Sequence, residues 1–142
     1  MQIERKLREL SCSLKDPPID TGESLANRYS RSLLVTGVDS QKRLLNSSAV
    51  IVGMGAVTSH AFEVFVRKGL GTIVPIDADV VSEHNLERVS IYDESDVGSY
   101  KVNAAKRFAA RVNKHVRVFP VVGKFQDIIR DSSIKKALAQ AD

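Results

Sequence analysis

Gly53-Met54-Gly55 ends one apolar run and Asp77-Ala78-Asp79 ends a second. Asn85, Arg88 and Lys101 follow as polar residues in a stretch that otherwise alternates core and surface. Glycines where a strand turns into a helix let the backbone approach a phosphate, which the unpaired N–H groups and the helix dipole attract. Asp77 comes 24 residues after Gly53, near the roughly 20 expected of an acid that hydrogen-bonds a ribose hydroxyl. Arg88 and Lys101 point to a triphosphate rather than a dinucleotide. Each piece also has a plainer reading. The glycines serve a strand-to-helix turn, the aspartates cap loops, and Asn85, Arg88 and Lys101 are surface residues. Lys101 fits that plainer reading least, because a cation at the start of a helix opposes the dipole.

The elements around these residues predict a nucleotide-binding βαβ unit. Ala49–Val52 reads as a central parallel strand, apolar on both sides of the pleat. A helix over Ala56–Lys68 follows, with Val57, Ala61, Val64 and Phe65 as its expected core face. Gly69 and Gly71 end it, and Thr72–Ile76 returns as a parallel strand through a right-handed crossover. Val80–Gly98 reads as a long irregular connection, a length that is usually functional inside a compact domain. Lys101–Val112 is a helix with Ala104, Ala105, Phe108 and Val112 inward, and Val116–Val122 alternates into a third strand. Phe125–Ala141 is expected to form one or two short helices.

Upstream, residues 1–10 can form an amphipathic helix with Ile3, Leu7 and Leu10 on one face, and Pro17-Pro18 and Gly22 mark residues 11–22 as a linker. Glu23–Leu34 starts as a helix, Thr36–Asp39 is a turn, and Ser40–Leu45 is a second short helix. The domain is therefore expected over residues 23–142. Its fold class is α/β, a Rossmann-like parallel sheet with flanking helices, incomplete at the C-terminus, with an N-terminal helical segment before it.

Composition narrows the partners. With 142 residues, 43% of them hydrophobic and 27% charged, the chain suits one soluble globular core. Its formal charge of +4 is spread among acids, with no basic stripe interleaved with aromatics, so nucleic acid is not the expected partner. Nothing approaches the ~20 apolar residues of a membrane span. The single cysteine, Cys12, can form neither an internal disulfide nor a cysteine pair for zinc. A reducing, cytoplasmic setting is expected.

The ordered set Gly53-x-Gly55, Asp77-x-Asp79, Asn85, Arg88 and Lys101 resembles the ThiF/MoeB/ubiquitin-activating-enzyme superfamily. The likeness takes in Arg28-Tyr29-Ser30-Arg31-Ser32-Leu33, similar to the family's Arg-Tyr-x-Arg-Gln-Ile. It also takes in Val97-Gly98-Ser99-Tyr100-Lys101 and Arg111-Val112-Asn113, so it runs over residues 25 to 122. It implies ATP- and Mg2+-dependent adenylation of the C-terminal carboxylate of a ubiquitin-like or sulfur-carrier protein, by a homo- or heterodimer. By the same likeness, Gly53 and Gly55 lie under the phosphates, Asp77 holds the ribose, and Asp79 sits near the phosphates and any magnesium. Asn85, Arg88 and Lys101 neutralise the triphosphate, and Arg31 reaches the γ-phosphate bound by the neighbouring subunit.

The sequence also departs from the family pattern. The family's Gly-x-Gly-Gly-x-Gly is Gly53-Met54-Gly55-Ala56-Val57-Thr58, and its opening glutamine is Ser32. A methyl at position 56 still admits a phosphate, whereas a β-branched Thr58 is expected to push the helix outward or clash with the sheet. The family's catalytic aspartate, zinc-binding cysteine pairs and carrier-docking region are expected beyond the last residue. Cys12 matches no thioester cysteine. Two other readings stay open: a non-catalytic paralogue acting as a pairing subunit, and an NAD-dependent oxidoreductase resting on the glycine pair alone.

Overall fold

In the computed structural model, the described residues are 23–130 together with 132, 135, 139 and 141. The helix and linker expected over residues 1–22, and part of the final helical segment, lie outside them. Helix α1 (Glu23–Asn46) is broken at Gly37, whose φ of 77° and ψ of 166° no other residue adopts readily. The expected helix, turn and helix are therefore one kinked element. Strand β1 (Ser48–Val52), helix α2 (Ala56–Lys68) and strand β2 (Thr72–Asp77) follow at nearly their expected bounds.

β1 and β2 pair in parallel, from Ser48 opposite Thr72 to Val52 opposite Ile76. The crossing helix α2 stops at Gly69, whose left-handed backbone (φ 80°) turns its N–H onto the Phe65 and Val66 carbonyls. The face that α2 buries is Ser59, Phe62 and Val66; of the expected Val57, Ala61, Val64 and Phe65, only Phe65 packs against the core, half-buried. Val57 is 83% exposed and Val64 53%. The helix carries apolar residues on two faces, and the way the chain enters from the glycine turn decides which one meets the sheet.

The expected third strand is two pieces, β3 (Arg117–Val118) and β4 (Val121–Val122), both parallel to β2. The gap has a physical cause. Phe119 N donates to Ile73 O at 3.0 Å, so the next rung of a parallel ladder would run from residue 75 to the Phe119 carbonyl. Residue 75 is proline and has no N–H to give. Pro120, in the gap itself, cannot donate either.

Val80–Gly98 is not irregular throughout. It holds helix α3 (Glu83–Leu86) and a 3₁₀ turn (Glu94–Asp96), and its ends are stapled by an antiparallel bridge between Val80 and Tyr100. Val81, Val89, Ile91 and Tyr92 sink into the main core, where each buried side chain contributes about 1.5–3 kcal/mol relative to exposure. That core lies on one sheet face, where Ile51 and Ile73 meet Phe62 and Val66 of α2 and Phe108 of helix α4 (Lys101–Val112). The opposite face carries Val74, Ile76 and Val121 with Ile128 of helix α5 (Phe125–Ile128).

Candidate functional site

Parallel pairing puts the C-terminal ends of β1 and β2 at one sheet edge, so Gly53–Gly55 and Asp77–Asp79 are neighbours there. Gly53 has a φ of 81°, and its N–H donates to Ile76 O at 2.8 Å. One Asp77 oxygen accepts from Met54 N at 2.6 Å and the other from Asp79 N at 2.7 Å. That carboxylate therefore ties the glycine turn to the end of β2. Lys101 N donates to Asp79 O at 3.0 Å, and Lys101 Nζ to Asp79 Oδ2 at 2.9 Å. A chain of short bonds thus brings Gly53, Gly55, Asp77, Asp79 and Lys101 into one cluster.

The space above the turn is open. A Cβ added at Gly53 or Gly55 would meet nothing within 4 Å. α2 begins there with Gly55 as a backbone-only cap and no acid in its first turn. Ser59 N to Gly55 O, at 2.9 Å, is the first rung of the helix, and the N–H groups before it are those a helix leaves unpaired. Room, unpaired donors and the positive end of a 13-residue helix suit an anion. Thr58 does not make the expected clash. It is half-buried, and its hydroxyl donates back to Gly55 O at 3.3 Å, while Ser59 is the wholly buried neighbour.

Asn85 and Arg88 are placed differently. Asn85 is buried, and its Oδ1 accepts from Ser82 N at 2.9 Å, capping α3. Arg88 is half-exposed and bonded within its own turn, to His84 O at 3.0 Å and to Glu87. The chain just after it reaches α2, where Ser90 bonds Glu63, and then the turn, where the Tyr92 hydroxyl donates to Met54 O at 2.9 Å. The Ser90 hydroxyl is the main reason the Glu63 carboxyl is held below its usual range. Burial pushes the Tyr92 hydroxyl far above its ordinary titration range, reinforced by Asp77 and Asp96 and opposed by Ser59, so it stays a donor.

Arg31 is not in the cluster. Its neighbours fasten to the other end of α2 and of α4: Arg28 to Val112 O, Tyr29 to Asn113, and Ser32 to Lys68. The 13 residues of α2 separate the two ends by about 20 Å at 1.5 Å per residue.

Sequence reasoning missed Met54, Ser59 and Tyr92. Both backbone polar groups of Met54 are bonded, its N–H to Asp77 and its carbonyl to Tyr92, with Ser59 Oγ also donating to that oxygen at 3.2 Å. Only the position of Ser59, one residue past the glycine-like stretch, offered a signal. Tyr92 reads as one more apolar residue beside Val89 and Ile91.

Among the described residues no group of three or more His, Cys, Asp or Glu side chains could hold a metal ion. Asp79, with 70% of its side chain exposed, is a single carboxylate. That donor set fits a cation arriving on phosphate oxygens, as Mg2+ does with one or two protein carboxylates, and not a resident metal cage. No described helix is long and apolar enough to cross a membrane.

A family model described as "ThiF family" matches residues 29–142. The chain belongs to the ThiF family. It is 33% identical over 118 residues to the SAMP-activating enzyme E1 of Haloferax volcanii, covering 82% of this chain and 42% of that protein. It is 31% identical over 102 residues to the molybdopterin-synthase adenylyltransferase of Salmonella typhimurium, covering 70% and 41%. This ThiF-family chain thus spans less than half the length of those two relatives. Its fold matches the ATP complex of the tRNA N6-threonylcarbamoyladenosine dehydratase of Escherichia coli, with a TM-score of 0.70 over 75% of this chain and 44% of the other, at 24% identity. A structure of E. coli MccB with AMPCPP and MccA gives a TM-score of 0.68 at 29% identity, over 86% of this chain and 38% of the other.

Proposed function

We propose that this chain is the nucleotide-binding portion of an adenylating enzyme. It would bind ATP for activation of the C-terminal carboxylate of a ubiquitin-like or sulfur-carrier protein. The observation that carries the reading is the open, acid-free start of α2 beside a lysine already held at the same edge by Asp79. Residues 23–142 form the nucleotide-binding domain, in a cytoplasmic protein.

The reaction needs charge neutralisation and in-line positioning more than covalent help. A carrier carboxylate oxygen attacks the α-phosphorus, an acyl–phosphate bond forms, the α–β phosphoanhydride bond breaks, and pyrophosphate leaves with the electron pair. Gly55 and the first residues of α2 give N–H donors to the phosphates, and Asp77 accepts from the ribose. Lys101 turns from Asp79 to phosphate oxygens, with Asn85 and Arg88 as further donors. Asp79 would hold the Mg2+ carried by the triphosphate, which neutralises the leaving group. Arg31, fastened about 20 Å from the turn by the length of α2, serves the site of the other subunit in a homo- or heterodimer.

Calorimetry with ATP–Mg2+, adenosine and NAD tests the reading. ATP is expected to bind more tightly than adenosine, and both more tightly than NAD. Tighter binding of NAD would replace adenylation with nicotinamide chemistry. A second reading, a non-catalytic pairing subunit, is favoured by Ala56 and Thr58 standing where the family has glycines. It predicts no ATP binding, and assembly with a complete relative.

A further inference from the structure

We infer that Tyr92, assisted by Ser59, is a positioning residue that aims the Gly55 N–H at the phosphates. This rests on the nucleotide reading above and deepens it. A peptide group is planar and trans, so its carbonyl oxygen and the following N–H point in opposite directions. The Met54 carbonyl and the Gly55 N–H share one such plane. The Tyr92 hydroxyl donates to Met54 O at 2.9 Å and the Ser59 hydroxyl at 3.2 Å, both from within the core. Met54 and Ser59 are fully buried and Tyr92 is 6% exposed. With the oxygen held inward, the N–H must face outward, and Gly55 is exposed, with empty space where a Cβ would stand.

The clamp is needed because of the glycine. Gly55 tolerates almost any backbone angle, so the Met54–Gly55 peptide could turn over at little steric cost. Turned over, it would present a carbonyl oxygen to a phosphate and repel it. On the other side of Met54, its N–H is held by Asp77, so the rotation is confined to the one peptide that Tyr92 and Ser59 grip. In a turn that has Ala56 and Thr58 where its family has glycines, the donor at Gly55 carries more of the phosphate contact. Tyr92 also sits between Arg88 and Lys101 in the chain, so a loop out of place would withdraw the clamp and the cations together.

The test uses the 142-residue chain with Tyr92→Phe, which keeps the ring, Ser59→Ala, and the double variant. Each single change should weaken ATP about three- to tenfold and the double change more, with adenosine affinity unchanged, as expected for loss of one net hydrogen bond. By NMR without nucleotide, the Gly55 amide should give one sharp signal in the parent and a broadened or doubled one in the variants. A merely structural tyrosine would lower the melting temperature and leave both the ATP-to-adenosine ratio and the Gly55 signal as they were, which overturns the proposal. A disturbed Gly55 signal with an unchanged ratio also overturns it, because the clamp would then not serve phosphate. If the parent chain binds neither ATP nor adenosine, the nucleotide reading fails. The Gly55 signal then decides the clamp alone: doubled in the variants supports it, unchanged overturns it.

Discussion

Lys101 and Asp79 form an ion pair in which the cation is enclosed and the anion is not. Nζ lies 2.9 Å from Oδ2, with 11% of the lysine side chain exposed against 70% of the aspartate's. The lysine stem is packed along its length while the carboxylate can rotate away into water. In the proposed site, a nucleotide would therefore displace only the exposed carboxylate to reach the lysine.

Lys101→Ala should separate ligand from fold. The ion pair contributes about 0.2–1 kcal/mol and the packed stem adds to it, so the melting temperature should fall modestly. Charge-assisted bonds to a phosphate are worth about 1.5–3 kcal/mol, so ATP should weaken about 10- to 100-fold and adenosine very little. Calorimetry decides it: equal losses for the two ligands would remove Lys101 from the phosphate site.

Gly55→Ala should do the same by filling space. The residue has φ −82° and no neighbour for a new Cβ, so the substitution brings neither clash nor strain. A stiffer unfolded chain and a poorer helix cap oppose each other, leaving stability within about 1 kcal/mol. The methyl would stand where the phosphates approach, and ATP affinity should fall. At Gly71 the same methyl would land on the Leu45 carbonyl oxygen, which cannot step aside, so Gly71→Ala should destabilise by about 1–3 kcal/mol or more. Thermal unfolding of the two variants side by side checks the contrast.

A buried carboxylate sets a third expectation. Asp96 is 2% exposed, and Arg107 donates to it through Nε at 3.1 Å and through Nη2. Arg107 is half-exposed and Asp93 N still donates to Asp96 at 3.1 Å, so Arg107→Ala should cost about 1–3 kcal/mol in urea unfolding, the scale for a buried acceptor that loses its partner. Adding Asp96→Asn, which removes the orphaned charge, should recover part of the loss. If the double variant is no better than the single one, the charge was not the cause.

His115 sets a pH dependence. Its Nε2 is buried with no hydrogen-bond partner among the described residues. Burial first, then the Lys114 and Arg28 charges, hold its pKa below the ordinary value. The unfolded chain therefore takes up the proton first. The histidine's contribution is complete above about pH 6.5 and is lost as pH falls through the folded-state pKa. Melting temperatures measured from pH 7.5 to 5.5 should drop less steeply in His115→Gln than in the parent.

The parts of this molecule that sequence makes readable are those where one residue type has one structural use. Gly53 at positive φ, Gly69 ending α2 and the apolar runs of β1 and β2 are of that kind, and their elements fall nearly where expected. α2 shows the opposite case. Val57, Ala61 and Val64 repeat at helical spacing as convincingly as Phe62 and Val66 do, so periodicity cannot choose the buried face. The third strand failed on a proline pair whose effect depends on register, a quantity absent from either segment alone. At the site, the side chains that resemble a family motif were legible, and what they hold was not. Asp77 grips two backbone amides, Asn85 caps a helix, and Tyr92 has no spacing that marks it.

The clamp on Met54 also gives the chain a way to be watched. There is no tryptophan and there are three tyrosines: Tyr29, Tyr92 and Tyr100. Tyr29 is the buried tyrosine of α1 with its hydroxyl against Asn113, at the far edge of the sheet, and Tyr100 stands half in solvent beside Lys101. Tyrosine absorption and emission therefore come from a quiet reference ring, from the ring that grips the glycine turn, and from the ring next to Lys101. Any rearrangement of the loop between Val80 and Lys101 would be written into the protein's own optical spectrum, with no label added.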